Sequence, residues 1–409
     1  MAIPSLAMIP SGYKANKVYS VLPTDGTGDF TTTRASTATR VNSSGLIETV
    51  LTGVPRLDYS DGTCPSLLLE PQSTNLITYS EDFSNAYWNK SGSSVVSDAA
   101  ISPDGSLSAF KLVEDGANSR HRVGRGTFAA GTQRTFSVFA KKGERDYISL
   151  FDNNTASSQL NGVFFNLNTG LLSLNAADSY YLDPTIKSLQ NGWYLCSVTW
   201  TPNSLSVPSV GSSADGLTNS YQGDGTSGVY IFGAQLEEGS YPTSYIESNI
   251  GTTTTRAADT AEATGLSTVI GQTEGVLYAE LTVPSTESLG DYCTLEANDG
   301  TNQNLINFNI YGSGRVSASA FVGGVANVFI NDNNYGLSSG THKFAFSYKL
   351  NDYKFYIDGS LVGVDTSANV PLTDSVDLYI TNGGSIRYKD ARVYNTALTG
   401  SELAILTTI

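Results

Sequence analysis

Short runs of alternating apolar and polar residues, each closed by a cluster of Gly, Asn, Asp or Ser, recur through most of this chain. RTFSVFAKK (134–142), DYISLFD (146–152), GWYLCSVTW (192–200) and GVYIFGAQLEEG (228–239) are examples. Side chains of a strand point alternately to its two faces, so such runs bury one face and solvate the other. Six or more of them at regular spacing predict sheets packed face to face. Residue usage agrees, with 23 Tyr, 40 Gly and abundant Ser, Thr and Asn. Long Ala-, Leu-, Glu- and Lys-rich stretches of the kind helices favour are nearly absent. The expected fold class is all-β, with an extended N-terminal arm followed by two antiparallel β-sandwich (jelly-roll) domains.

The expected boundaries are an arm over 1–75, a first sandwich over 76–248, a Thr-rich linker over 249–263 and a second sandwich over 264–409. The arm is read from its short extended pieces, TTTRASTATRV (31–41) and GLIETV (45–50), between turn signals such as Asp25-Gly26 and Asp61-Gly62. None of these pieces buries much area alone, so the arm gains order only by lying against something else. Its apolar residues Ile3, Leu6, Ile9, Tyr13, Val18, Tyr19, Val21 and Leu22 are too many for a plain leader and suggest docking.

Several function classes are disfavoured. The net charge is −15 and the 23 basic residues form no dense patch, whereas phosphate-backbone readers cluster Lys and Arg. No nucleic-acid partner is expected. No apolar run reaches membrane-spanning length, so no membrane insertion is expected. The opening MAIPSLAMIPSGYK has no basic start and no long apolar core, which predicts synthesis and assembly inside a cell. Cys64, Cys196 and Cys293 are far apart, and Cys196 alternates with apolar neighbours as a core residue does.

Three resemblances add to this reading. TTTRASTATRVNSSGLIE, VPRLDYSDGTCPSLLLEP and the sequence LLLEPQSTNLITYSEDFSNAYWNK (67–90) resemble a leader and opening segment of bacteriophage virion proteins. The stretch from Asn75 to Ser248 resembles carbohydrate-binding-module jelly rolls in its NL-x-x-x-S-x-DF opening, central GWY strand and closing GAQLEEGSYPTSYIES. The last 145 or so residues resemble concanavalin-A-like, laminin-G-like sandwiches through KFYIDGSLVG and ARVYNTALTGSEL. In that part GVLYAELTV (275–283) reads as an outer strand, and LINFNIYGSGRVSASAFVGG (305–324) as a hairpin about Gly312-Ser313-Gly314. THKFAFSYKLNDYKFYIDGSLVGVD (341–365) reads as strands turning at Asn351-Asp352 and Asp358-Gly359, and Thr399 as the N-cap of a closing helix with Glu402 at its third position.

Chemistry is sparse. His121 and His342 lack the neighbours of a catalytic dyad or metal motif. A glycosidase needs two opposed carboxylates. In LEANDG (295–300) Glu296 and Asp299 are three apart and would face opposite ways on a strand, so no catalysis is expected. Structural calcium is implied by both sandwich resemblances. Glu81 and Asp82, with Glu237, are its leading candidate ligands, and Asp299 with Asn302 and Asp332 with Asn333 are weaker ones; the alternative, which the sequence favours, is that all of them are ordinary solvated turn residues. Glycan binding needs an exposed aromatic platform, and Tyr180, Tyr181, Tyr221, Tyr292 and Tyr335 fall in polar, loop-like contexts. Trp193, Tyr194 and Trp200 read as core.

The combined expectation is a non-enzymatic phage virion fibre or adhesin. The arm would dock on other virion proteins, the sandwiches would bind bacterial surface polysaccharide, and the assembly would be a homo-oligomer, by analogy a trimer. A purely structural decoration protein and a secreted bacterial glycan-binding protein are the alternatives.

Overall fold

The strand Glu274–Val283 buries both of its faces, because one side meets a sandwich core and the other a helix-covered layer. It therefore lies inside its sheet, hydrogen-bonded to Gly340–Lys349 on one edge and Ile386–Tyr394 on the other. It is not the outer strand expected from sequence. The computed structural model describes residues 2–153, 162–173, 180–283, 292–311, 314–379 and 384–409. Almost all regular structure in them is antiparallel β, as composition and alternation require.

The chain divides into two units. One comprises Met1–Ser43, Thr49–Gln72 and Ala257–Ile409, the other Ser44–Glu48 and Ser73–Arg256. In the first unit, one sheet runs in the order Ser360–Asp365, Tyr353–Ile357, Gly340–Lys349, Glu274–Val283, Ile386–Tyr394, Ser66–Leu69, Leu57–Asp58, and Leu6–Met8 also pairs with Ile386–Tyr394. The facing sheet runs Tyr13–Lys14, Lys17–Val18, Phe30–Thr33, Thr260–Thr264, Ser375–Tyr379, Tyr292–Asn298, Leu305–Ile310, Val316–Val322, Val325–Asp332. Inward residues of both sheets, including Leu277, Phe344, Phe346 and Phe355 against Leu295, Ile306, Phe308 and Val376, form one core. Phe308 stacks on Phe344 with ring centroids 5.4 Å apart.

The N-terminal arm is extended, as read, and it does lie against something. That something is the chain's own C-terminal sandwich. Leu6, Met8, Val18, Phe30, Leu57, Leu67 and Leu69 are buried in the same core as Phe344 and Phe355. Leu6 pairs with Val393, and Leu67 with Tyr388. The chain passes from one unit to the other between Arg256 and Ala257, inside the Thr-rich stretch, but the residues on either side of that point are paired in strands. Thr260–Thr264 pairs with both Phe30–Thr33 and Ser375–Tyr379, and Thr254–Arg256 pairs with Ser73–Asn75 in the other unit. A buried ion network fixes this arrangement. Arg56 pairs with Glu70 at 2.6 Å and with Asp259, and Asp259 also accepts from Arg34 at 2.9 Å. Burial opposes the charge of Arg56, but Asp259 and Glu70 outweigh it and raise its pKa.

The hairpin at Asp358-Gly359 has φ of 49° and 81°, and Ile357 opposes Ser360, as a two-residue turn with positive φ at both positions requires. Asn351 also adopts positive φ, at 57°. The closing helix Gly400–Thr407 carries the expected capping box, with the Thr399 hydroxyl accepting from the Glu402 amide and the Glu402 carboxylate accepting from the Thr399 amide. Leu305–Ile310 and Val316–Val322 pair as expected, while Gly312 and Ser313 of their turn lie outside the described residues.

The second unit is also a sandwich. One sheet runs Asn89–Ser91, Arg122–Gly124, Pro208–Ser213, Tyr147–Asp152, Val163–Asn166, Leu171–Ser173; the other runs Ser93–Ile101, Leu107–Glu114, Gly228–Glu238, Arg134–Lys141, Trp193–Trp200, Tyr181–Ser188. Phe136, Val138, Cys196, Val198 and Trp200 meet Ile148, Leu150, Val163, Phe165 and Val210 between them. Burial pushes the Cys196 thiol up, so it is an inert core residue as read. Trp193 is buried on the opposite side of its sheet from Trp200, with Phe139, Phe232 and Tyr245.

Candidate functional site

The second unit opens on the segment Asn75–Trp88, and the buried amide of Asn75 anchors it. Its Nδ2 donates to the carbonyls of Ile246 (2.9 Å) and Ala234 (3.3 Å), and its Oδ1 accepts from the amides of Ile77 (3.0 Å) and Leu236 (3.2 Å). Every hydrogen-bonding capacity that burial would otherwise penalise is met. Ile77, Phe83 and Trp88 then enter the core, and the Trp88 indole donates to the Tyr79 carbonyl at 2.8 Å. With these three held inward, Leu76, Thr78, Tyr79 and Tyr87 are left half-buried at the surface.

They line a cleft of about 300 Å³ together with Arg125, Gly126, Thr127, Phe128 and Gly251. The rings of Tyr79 and Tyr87 lie 5.5 Å apart at 54°, and Tyr87 meets Trp88 edge-on at 5.5 Å. The Tyr87 hydroxyl accepts from the Thr78 amide at 3.2 Å, which fixes its ring. The Arg125 guanidinium stacks on Tyr87, 3.8 Å from the ring centroid. Gly251, at φ +80°, comes so close that a Cβ there would sit 2.9 Å from the Tyr79 hydroxyl. Aromatic walls with one charged group and a few hydroxyl and backbone groups suit a polar ligand that also has apolar faces, as a sugar does. The size lies at the lower end of small-ligand sites.

The tyrosines singled out from sequence lie elsewhere. Tyr181 is buried in the core, and Tyr180 packs on that core and donates to Asp152 at 2.6 Å. These two touch each other, with centroids 5.0 Å apart. The alternation of the strand turns the Tyr181 ring inward, and Tyr180 is half-buried against the same core with its hydroxyl on Asp152. Tyr221 is half-buried, donates to Glu114 at 2.6 Å and lies under Arg145. Tyr335 packs against the core of the other unit, and burial pushes its phenol up to about 12. The side chain of Tyr292 lies outside the described residues. None of these five lines the cleft. What sequence reasoning missed is Tyr79, Tyr87, Arg125 and Phe128. The signal for two of them was present in TNLITYSEDFSNAYW, where the aromatics between the core positions have no inward place.

The expected calcium ligands do not assemble a shell. Glu237 is fully buried and saturated by Ser73 (2.6 Å), Gln235 (2.6 Å) and the amide of Thr243 (3.0 Å), as well as the Thr243 hydroxyl. Asp82 accepts from the amides of Ser84 and Asn85 and from the Ser84 hydroxyl, as a turn residue. Glu81 accepts from Tyr245 at 3.0 Å and Asn249 at 3.1 Å. Burial and the nearby charge of Glu247 push its carboxyl up to about 7, against those hydrogen bonds. Asp299 and Asp332 likewise cap their own turns, at Thr301 and Asn334. No group of three or more His, Cys, Asp or Glu side chains converges as a metal site among the described residues. These residues do not fit a calcium ion.

Both histidines are structural. His121 is buried between the carbonyls of Gly92 and Tyr221, and His342 bridges Asp358 (2.6 Å) and the Ser338 carbonyl (2.9 Å). Glu296 has an unexpected companion, since the residue opposite it on the next strand is Asp377. The Asn298 amide spans the two, at 3.0 Å and 2.7 Å, and Asn307 donates to Glu296 at 3.0 Å. Burial, with the charges of Glu262 and Glu296, pushes Asp377 up to about 6, against the Asn298 bond. Amide donors hold Glu296 and one oxygen of Asp377, while the other, Asp377 Oδ1, is buried without a hydrogen-bond partner.

No family model matches the sequence, and no curated relative does. Among solved structures, the chain is similar to the Ruminococcus gnavus IT-sialidase CBM40 bound to α2,3-sialyllactose, at 18% identity over 36% of this chain and 91% of that one, with a TM-score of 0.30. It is also similar to a Bacillus licheniformis β-glucanase, at 16% identity over 34% of this chain and 72% of that one, with a TM-score of 0.28. A structure from work on ganglioside-dependent cell entry of botulinum neurotoxin type C is 12% identical over 36% of this chain and 39% of that one, with a TM-score of 0.31. Likeness at this level transfers neither a ligand nor an activity.

Proposed function

We propose that this chain is a non-catalytic glycan-binding protein, and that the cleft between Tyr79, Tyr87, Arg125 and Phe128 is its sugar site. The observation that carries the reading is the fixed aromatic corner of that cleft. Tyr87 is held by the Thr78 amide and by Trp88, so its ring is placed before any ligand arrives. Prepaid ordering of this kind is what lets a small contact area bind. Opening segment and cleft coincide, since Leu76, Thr78, Tyr79 and Tyr87 all belong to the stretch resembling phage virion proteins. On that resemblance the protein is placed on the surface of a bacteriophage, as a homotrimeric fibre or adhesin made in the host cytoplasm, with bacterial surface polysaccharide as its target. Attachment to other virion proteins falls to those arm residues that the chain's own sandwich leaves exposed, Ile3 (81%), Ile9 (40%) and Val21 (47%) among them.

The test is to incubate the whole protein with purified bacterial capsular and lipopolysaccharide glycans, measuring retention and release of reducing ends. Retention without new reducing ends is expected. Release of reducing ends would overturn the non-catalytic part, and failure to retain any glycan would favour a purely structural decoration role.

A further inference from the structure

The segment SRHRVGR (119–125) places Arg120, Arg122 and Arg125 within six residues of one another in a chain whose net charge is −15. Arg34, Arg56, Arg145, Arg387 and Arg392 each pair with a carboxylate. Among the described residues, Arg120, Arg122 and Arg125 have no carboxylate partner. Arg120 donates to the amide oxygens of Asn219 (3.1 Å) and Asn153 (3.4 Å), and Arg122 reaches only the Ser209 hydroxyl at 3.4 Å. Burial and then the charge of Arg120 pull the Arg122 pKa down, as expected where positive charge is locally uncompensated.

Arg125 is the one that lines the cleft. Its backbone amide is tied to the Pro208 carbonyl at 3.0 Å, and its guanidinium lies on Tyr87. Its Nε is buried without a hydrogen-bond partner, and no carboxylate of the described residues pairs with it. An orphaned Nε is shared with Arg134, so what sets Arg125 apart is that its guanidinium stands at the cleft without a carboxylate partner among the described residues. The planar guanidinium fork matches a carboxylate with two parallel N–H···O bonds, and its stacking on Tyr87 fixes the plane of that fork.

We infer that the cleft selects a sugar bearing a carboxylate, with Arg125 as the specificity-determining residue and the Tyr79–Tyr87 corner receiving the ring. This rests on the glycan-binding reading given above. The test is calorimetric titration of the whole protein with glucuronic-acid-, galacturonic-acid- and N-acetylneuraminic-acid-containing tetrasaccharides, each beside its carboxyl-reduced neutral form. At least one acidic member is expected to bind tenfold or more tighter than its neutral counterpart. Arg125→Gln should abolish that preference, so that acidic and neutral forms bind alike, and Arg125→Lys, which keeps the charge and loses the fork, should restore only part of it. Circular dichroism of both variants would confirm an intact fold. Equal affinity for acidic and neutral forms would overturn this inference and leave glycan binding standing. Absence of binding by every form, together with failure to retain any bacterial glycan, would overturn both.

Discussion

At the scale of single residues, the chain separates side chains that complete their hydrogen bonds internally from those that do not. Glu237, Asn75 and His121 are closed systems, and mutation there would be felt as lost stability. Glu81 is different, because burial and Glu247 hold its carboxyl near 7 in the folded protein, well above its ordinary 4.5. The folded state therefore binds a proton that the unfolded state has released between roughly pH 4.5 and 7, so stability falls as pH rises through that window. Glu81→Gln should match the parent near pH 4.5 and exceed it above pH 7, by on the order of 2 kcal/mol. Thermal melts of the two proteins at pH 4.5 and 8 check this, and a constant difference between them would count against it. The candidate site was only half legible at this scale. The sequence places Tyr79 and Tyr87 beside core positions, but nothing in a linear reading brings Arg125 over Tyr87. Polar context does not by itself expose a ring, since Tyr180 and Tyr181 sit in such a context and still turn onto the core.

At the scale of elements, strands with strong alternation and turns with obligatory positive φ were readable in advance, and so was the capped helix. The arm was not. Its strands Leu6–Met8, Phe30–Thr33 and Ser66–Leu69 are three or four residues long, and their partners lie hundreds of positions away. Periodicity over such lengths cannot specify a partner. TTTRAS and TTTTRAAD echo each other in sequence, and their ends meet, with Thr33 and Thr260 hydroxyls 2.6 Å apart and Arg34 on Asp259. Arg56 is the centre of that junction. Removing it leaves Glu70 buried without its guanidinium partner, so Arg56→Met should cost about 3–5 kcal/mol. Urea unfolding monitored by fluorescence measures it, and a loss below about 1 kcal/mol would mean that the arm is not anchored through this network.

At the scale of the whole molecule, two sandwiches are built by different routes from one chain. The C-terminal one is completed by strands from the first 72 residues, and the other is nearly continuous in sequence. No helix among the described residues is long and apolar enough to cross a membrane. Function, on this account, lies in the continuous unit, where a fixed aromatic corner and one unpaired arginine share a cleft. The most direct measurement is the affinity of the intact protein for its best-retained bacterial glycan, compared with Tyr87→Ala and Tyr87→Phe. Losing the ring should weaken binding roughly 30-fold, about 2 kcal/mol, while Tyr87→Phe, which keeps the ring but loses its tie to the Thr78 amide, should fall between the parent and Tyr87→Ala. Unchanged affinity in a folded Tyr87→Ala protein would place the sugar elsewhere and contradict the account.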